Sequence, residues 1–374
     1  MPDITATERD AQHLQRAIDL AARVRGQTSP NPMVGAVVVK DGRVIGEGAT
    51  QPPGEAHAER MALADCRESP AGATLYVSLE PCAHEGRTPP CTDAILQAGI
   101  KRVVIASDDP TDKAAGRGPG ILRDEGVDVR WVDGELSEAA RLLNQPFRKH
   151  ARTGRPLVVF KSAMTLDGKV ATRLGDSQWI SGEASRARAH RWRADLDAVA
   201  VGIGTALADD PQLTARVEGV ANQPSRVVFD SEARLPLDSK LVRGVAEVPL
   251  IVVVSRAASR TAVEALRAAD VDVIVASGEN EGARVERALD ELGQREIQSL
   301  LVEGGPHLAG AFLEAGEIDE VRMFIAPMLL GGTQAKTVVE GIGLAAIADA
   351  PRPIAVETER IEDDVLITAR FRDW

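Results

Sequence analysis

Four residues in the first quarter of the chain have the types and spacing for metal-assisted chemistry. They are His57, Glu59, Cys82 and Cys91. One imidazole and two thiolates supply three zinc ligands and leave the fourth coordination position to water, which is typical of a catalytic zinc site. Zinc lowers the pKa of its bound water to about 7. Glu59 can then take a proton from this water and pass it to a leaving group. The pattern therefore predicts zinc-dependent hydrolysis, with Glu59 as the proton shuttle.

Taken singly, each of these residues has an ordinary structural interpretation, as a core histidine or a buried thiol. Their order, H-x-E followed by P-C and a second cysteine, is that of the zinc nucleobase deaminases, in which two residues usually separate the cysteines. Here eight residues lie between Cys82 and Cys91. Cys66 is expected to lie in the helix that follows His57, with its side chain in the protein core. The combination favours a catalytic deaminase site with an unusually long loop between its cysteines.

The elements around these residues are expected to bring them together. His57 is predicted to lie in a loop that enters a helix, where Glu59 in the first turn can converge with it. Cys91 is predicted to begin another helix, whose N-terminus favours a thiolate. The Asp41-Gly42 pair predicts a hairpin between two strands, and one helix is predicted from residue 137 to 150. The alternation of strands and helices predicts an α/β sheet covered on both faces.

The length of 374 residues suits two domains. The pattern of strands and helices is interrupted at residues 152–156, where we place the domain boundary. We expect a zinc-dependent deaminase domain at 1–150 and a second α/β domain at 155–374. The second domain is expected to end in an antiparallel pair of strands. A net charge of −12 argues against a broad nucleic-acid-binding face. We expect no membrane span and no signal peptide, hence a cytoplasmic protein. Three cysteines argue against a disulfide framework.

The stretch from Pro81 to Cys91 resembles the deaminase half of the bifunctional deaminase–reductases of riboflavin biosynthesis. Three further segments match the same family: 31–35 (NPMVG), 109–110 (DP) and 115–118 (AGRG). The resemblance implies a cytidine-deaminase-like fold. It also implies deamination of 2,5-diamino-6-(5-phosphoribosylamino)pyrimidin-4(3H)-one, a small phosphorylated pyrimidine. By resemblance, the residues that bind this substrate are Asn31, His84, Arg87 and Asp109.

The first domain departs from the family pattern at two places. Thr50 stands where members often carry histidine, and Thr111-Asp112 stands where they often carry Asn-Pro. We interpret both as altered contacts around the substrate. Asn31 and Asp109 each adjoin a proline, so turn formation is an alternative role for them.

The second domain has two glycine-containing turns after predicted strands, at 201–205 and 301–306. The second precedes a helix that is expected to begin at Pro306, where free amides could bind a phosphate. A tight turn without a ligand is the more common explanation for each of them.

Four segments are more specific evidence, because they resemble motifs of the family's reductase domain and follow one another in the same order. They are 161–169, 177–180, 205–216 and 302–306. The resemblance implies a dihydrofolate-reductase-like fold and NADPH reduction of the ribose arm to a ribityl chain.

The resemblance also implies the residues of this second site. The expected NADPH-binding residues are Ala163, Trp179, Thr205, Asp209, Ser231, Gly305, Pro306, His307, Leu308, Ala309, Gly310 and Ala311. The expected substrate-binding residues are Ser177, Arg193, Leu213, Arg216 and Glu303. Lys161 and Glu303 are both candidates for the proton donor, and the sequence does not choose between them. We expect a homo-oligomer, a dimer or a tetramer.

Three alternatives compete with the bifunctional enzyme. The second domain could be a degenerate partner without NADPH binding, which NADPH oxidation would test. The first domain could be a structural zinc module, although such a site needs no proton shuttle like Glu59. A deaminase that edits RNA is disfavoured by the acidic net charge.

Overall fold

The computed structural model describes residues 8–85, 89–112 and 114–374. The chain divides into two compact units, one formed by residues 1–154 together with Trp374, the other by residues 155–373. Each unit has its own sheet. In the described part of the chain, no helix has both the length and the apolar character needed to cross a bilayer.

The first unit is a five-stranded sheet between helices. Its strands are β1 (Gly35–Lys40), β2 (Arg43–Ala49), β3 (Thr74–Val77), β4 (Arg102–Ile105) and β5 (Asp128–Trp131). Its helices are α1 (Glu8–Ala22), α2 (Ala58–Ala64), α3 (Cys91–Gln97), α4 (Arg117–Asp124), α5 (Glu135–Leu143) and α6 (Gln145–Thr153). The strand order is β2-β1-β3-β4-β5, with β3, β4 and β5 parallel.

Alternation along the strands divides the core of this unit between the two faces of the sheet. Val37 packs with Leu14 of α1 on one face, and Val38 packs with Ala62 of α2 on the other. The hairpin predicted at Asp41-Gly42 is confirmed: β1 and β2 are antiparallel, and both turn residues have a positive φ, as a two-residue turn requires.

The helix predicted from residue 137 to 150 is instead two helices, α5 and α6, which meet at Asn144. Pro146 lies in the first turn of α6, where its missing N–H costs nothing and its ring cannot continue a preceding helix. The Asn144 side chain is buried and pairs with the backbone of Met33, accepting from the Met33 N–H at 2.8 Å and donating to its carbonyl at 2.9 Å.

The second unit is built on a nine-stranded sheet. Its strands are β6 (Leu157–Thr165), β7 (Ala198–Gly202), β8 (Ser225–Phe229), β9 (Leu250–Val254), β10 (Asp272–Val275), β11 (Ser299–Val302), β12 (Glu320–Ala326), β13 (Ala355–Ile361) and β14 (Asp364–Arg370). Its α-helices are α7 (Glu183–Asp195), α8 (Ile203–Asp209), α9 (Lys240–Arg243), α10 (Arg260–Ala268), α11 (Glu281–Gln294) and α12 (Pro306–Glu314).

The strand order of this sheet is β10-β9-β8-β7-β11-β6-β12-β14-β13. The first seven strands are parallel, and β14 and β13 add the antiparallel pair that the sequence predicts. Because parallel strands end at a common edge, the loops after β7, β8 and β11 lie together, which is where ligands bind in such sheets.

Candidate active sites

The three predicted zinc ligands come together in the first unit. His57 is the N-cap of α2, Cys91 is the first residue of α3, and Cys82 lies in the loop after β3. Their ligand atoms lie within 4.8 Å of one another. His57 Nδ1 is 3.6 Å from Cys82 Sγ and 3.3 Å from Cys91 Sγ. Two sulfurs and one imidazole nitrogen at these separations fit a tetrahedral zinc ion with an open fourth position.

The charge state of Cys82 also suits a metal. The pKa of its thiol is lowered to about 4, first by a hydrogen bond from the Cys91 thiol and then by the His57 imidazole. The Cys91 N–H also donates to Cys82 Sγ, at 3.4 Å. Cys82 is therefore a thiolate near neutral pH, which is the form that binds zinc.

Glu59 lies beside these ligands in the first turn of α2 and is 3% exposed. Its pKa is raised to about 7, first by burial and then by the negative charge of Cys82. A carboxyl group that titrates near neutral pH can both accept and release a proton. The geometry therefore gives Glu59 the properties of a proton shuttle.

The loop that carries Cys82 packs closely against α4. A Cβ added at Gly118, inside α4, would lie 1.9 Å from the carbonyl oxygen of Pro81, the residue before Cys82. Only glycine allows this approach. At Gly120, two residues further along the same helix, an added Cβ would meet nothing within 4 Å.

This packing makes Gly118→Ala a test of how the zinc loop is supported. We expect the variant to displace Pro81 and Cys82 and to weaken zinc binding about 10- to 100-fold, as the loss of supporting contacts around a metal ligand typically does. Competition with a chelator measures this. Gly120→Ala is the matched control and should bind zinc like the parent. Equal zinc affinity in the two variants would mean that α4 does not position Cys82.

Three of the four predicted pyrimidine-binding residues, Asn31, His84 and Asp109, lie in loops of the first unit. Asn31 precedes β1 and donates its N–H to the Thr28 carbonyl at 2.8 Å. His84 follows Cys82, and its buried Nδ1 has no hydrogen-bond partner among the described residues. Asp109 follows β4, and its N–H donates to the buried Glu80 carboxylate at 3.4 Å. Arg87 lies outside the described residues.

The two departures from the family pattern make contacts inside the protein. Thr50 is buried, and its Oγ1 accepts from the Val34 N–H at 3.2 Å. Thr111 donates to the Asp109 carboxylate. Both threonines therefore support loops that carry predicted substrate-binding residues.

Sequence reasoning missed two residues that support these loops, Asn144 and Glu80. Asn144 holds the loop after Asn31 through its pairing with the Met33 backbone. Glu80 accepts from the N–H groups of Gly116 at 2.7 Å and Asp109 at 3.4 Å. Glu80 could have been identified from the sequence, because it directly precedes the Pro81-Cys82 motif. No local signal marks Asn144, since its partner is 111 residues away along the chain.

The second unit contains a cavity of about 1450 Å³ at the edge where its parallel strands end. The predicted residues that line it are Lys161, Ala163, Ser177, Trp179, Arg193, Thr205, Asp209, Leu213, Arg216, Ser231, Glu303, Gly305, Pro306, His307, Leu308 and Ala311. Ala309 and Gly310 do not line it. Ala309 is in the core, and a Cβ at Gly310 would lie 1.7 Å from the Glu340 carbonyl oxygen.

The helix after β11 begins at Pro306, as the sequence predicts. Gly305 is its N-cap, and the Gly305 N–H donates to Thr205 Oγ1 at 3.1 Å. The first turn of α12 thus lies at the cavity with amides that have no intrahelical acceptor. This arrangement suits the phosphates of a dinucleotide.

Three charged residues meet in this cavity. Arg193 of α7 pairs with Glu303 through two hydrogen bonds, at 2.7 and 2.8 Å. Lys161 Nζ of β6 lies 3.8 Å from Glu303 Oε2. Burial alone raises the pKa of Glu303, but Lys161 and Arg193 outweigh burial and hold it at about 2. Glu303 is therefore a carboxylate at neutral pH and has no proton to donate.

Sequence reasoning also missed His190, which lines the same cavity. It lies three residues before Arg193 on α7, so the two side chains share a face of the helix. Its Nε2 is 3.0 Å from the Arg216 guanidinium. Burial, followed by Arg193 and Arg216, lowers its pKa, so His190 is neutral and can accept a hydrogen bond from Arg216. Its i, i+3 spacing from the predicted substrate-binding residue Arg193 is the sequence signal that could have identified His190.

Comparison with known proteins agrees with both sites. Residues 7–107 match the cytidine and deoxycytidylate deaminase zinc-binding region. Residues 156–367 match the RibD C-terminal domain. The riboflavin biosynthesis protein RibD of Actinobacillus pleuropneumoniae is 44% identical over 362 residues, which cover 96% of this chain and 95% of the relative.

The chain belongs to the RibD family.

RibD of Escherichia coli K12 is 39% identical, with 96% of this chain and 98% of the relative covered. The crystal form 1 structure of Acinetobacter baumannii RibD superposes with a TM-score of 0.87 at 37% identity, covering 98% of this chain and 99% of that one. A deaminase/reductase structure from Thermotoga maritima gives 0.84 at 36% identity, covering 97% and 99%.

RibD membership confirms the predicted fold class. The chain combines a cytidine-deaminase-like unit with a dihydrofolate-reductase-like unit. It is an enzyme of riboflavin biosynthesis that carries out a deamination and a reduction. Zinc and NADPH are the cofactors of these two steps.

Proposed function

We propose that this chain deaminates 2,5-diamino-6-(5-phosphoribosylamino)pyrimidin-4(3H)-one and then reduces the ribose arm of the product with NADPH. The main support for this proposal is that His57, Cys82 and Cys91 converge beside a buried Glu59. The same chain also holds the Lys161–Glu303–Arg193 cluster. In this proposal, residues 1–150 form the deaminase domain and residues 155–374 the reductase domain.

In the deamination, zinc held by His57, Cys82 and Cys91 would make water nucleophilic at neutral pH. Glu59 takes the proton from the attacking water and delivers it to the amine that leaves as ammonia. Asn31, His84, Arg87 and Asp109 bind the substrate. Burial of Glu59 excludes water other than the reacting molecule, so the proton goes to the leaving group.

In the reduction, NADPH would supply a hydride to the sugar carbon once the ribose ring is open. Of the two candidate proton donors, we propose Lys161, because Glu303 is already ionised. Glu303 holds Lys161 in its charged form and orients it towards the cavity. Arg216 suits the substrate phosphate, which a guanidinium binds with paired donors, whereas the Arg193 guanidinium is already paired with Glu303.

The residues at the rim of the cavity are proposed to bind NADPH. Trp179 stacks with the Arg186 guanidinium, 4.6 Å from the ring centroid, which gives an exposed indole a defined position. The amides at the start of α12 face the cofactor phosphates. A homo-oligomeric state, dimer or tetramer, and a cytoplasmic location stay predictions.

A coupled assay tests the proposed sequence of steps. We expect ammonia release from the diaminopyrimidine phosphate with or without NADPH, and NADPH oxidation only after deamination has occurred. Zinc removal should abolish ammonia release yet leave reduction of the pre-deaminated substrate intact. Ammonia release without any NADPH oxidation would instead favour a degenerate second domain. Tightly bound zinc without ammonia release would favour a structural zinc module.

A further inference from the structure

The carboxylate of Asp109 is held by a residue two positions later in the chain. Its Oδ1 accepts two hydrogen bonds from Thr111, one from the backbone N–H at 2.8 Å and one from Oγ1 at 2.7 Å. The backbone bond needs only a residue with an N–H at position 111. The hydroxyl bond needs threonine or serine there, so it depends on the side chain that this chain carries.

The two hydrogen bonds from Thr111 occupy only one of the two oxygens of the Asp109 carboxylate. Both donors use Oδ1, and no described residue donates to Oδ2. The backbone of Asp109 is anchored separately, through its N–H to the Glu80 carboxylate at 3.4 Å. Rotation of the Asp109 side chain would break the Thr111 bonds, so the side chain has one preferred orientation, with one oxygen left as an acceptor.

We propose that Thr111 is a positioning residue for the deaminase substrate. Its hydroxyl holds Asp109 so that Oδ2 accepts a hydrogen bond from an amino or ring N–H group of the pyrimidine. This inference rests on the proposed function, because it takes Asp109 to be a substrate contact. It goes further by assigning the orientation of that contact to Thr111, where the chain departs from the pattern of its family.

The charge of Asp109 supports the same role. Burial raises the pKa of its carboxyl group, and the backbone and side-chain hydrogen bonds from Thr111 oppose that rise. The positive charge of Arg148 acts in the same direction. Thr111 therefore helps to keep Asp109 in the form that accepts a hydrogen bond from an N–H group.

The test compares Thr111→Val with Thr111→Ser in the full-length, zinc-loaded enzyme. Valine has the shape of threonine without the hydroxyl, whereas serine keeps the hydroxyl. We expect Thr111→Val to raise the KM for deamination about tenfold, since a hydrogen bond to a charged group is typically worth that much. Its kcat, zinc content and melting temperature should stay close to the parent values, and Thr111→Ser should restore the parent KM.

Two results would overturn the inference. One is a parent-like KM in Thr111→Val. The other is a variant that loses zinc or melts earlier and shows a lower kcat with no change in KM, since that pattern marks a purely structural role. The Asp109→Ala variant distinguishes failure of the proposed substrate contact from failure of the proposed role of Thr111. If it leaves KM unchanged, the proposed substrate contact fails; if it raises KM while Thr111→Val does not, only the role of Thr111 fails.

Discussion

Replacing Glu59 with glutamine should lower the rate of ammonia release about 10²- to 10⁴-fold, the usual contribution of a general acid–base group. Glutamine has nearly the same shape and can stay buried against the zinc ligands, but its amide cannot take a proton from water at neutral pH. The group that moves the proton is lost while the pocket keeps its form. Ammonia release at saturating substrate measures the effect.

The Glu59→Gln variant has internal controls in the same chain. Its zinc content should equal that of the parent, since His57, Cys82 and Cys91 are unchanged. Its reduction of pre-deaminated substrate should also be unchanged. Glu55→Gln removes one charge from an exposed position in the nearby loop and should deaminate normally. Parent-like ammonia release by Glu59→Gln would rule out Glu59 as the shuttle.

Replacing Lys161 with methionine should lower the rate of NADPH oxidation by a similar factor, about 10²- to 10⁴-fold. Methionine fills much of the lysine volume but has no proton to donate. Glu303 keeps its two hydrogen bonds with Arg193, so the carboxylate is not left unpaired. Single-turnover NADPH oxidation with pre-deaminated substrate measures the effect, and deamination should be unaffected.

A second substitution separates proton donation from charge. Lys161→Arg keeps a positive charge near Glu303, but a guanidinium does not release its proton in proteins. It should therefore be as slow as Lys161→Met. Parent-like activity in Lys161→Arg would show that only the charge matters, and parent-like activity in Lys161→Met would remove Lys161 from the chemistry.

The pH profile of the parent provides an independent check. Burial, and to a lesser degree Arg193, lowers the pKa of Lys161 from its ordinary value of 10.5, although Glu303 opposes them. A proton donor works in its protonated form. The reduction rate should therefore fall as pH rises through this lowered pKa, at a lower pH than an ordinary lysine would give. Lys161→Met should lack this decline.

The sequence was informative wherever the relevant information is local. Asp41-Gly42 predicted a hairpin because few residue pairs adopt its turn. His57, Glu59, Cys82 and Cys91 predicted a metal site because few other functions need these residue types together. The segment 137–150 failed as one helix because the prediction continued the helix across Pro146, whose ring cannot continue a preceding helix.

Residue type and spacing within the deaminase half thus predicted the zinc ligands and the proton shuttle, and motifs in both halves indicated the family. The orientation of Asp109 by Thr111, the support of Cys82 by Gly118 and the charge of Glu303 required the tertiary structure. The physical reason is that the electrostatic state and orientation of a buried group depend on all of its neighbours. Glu303 is ionised because Lys161 and Arg193, which lie 142 and 110 residues before it in the chain, are folded against it.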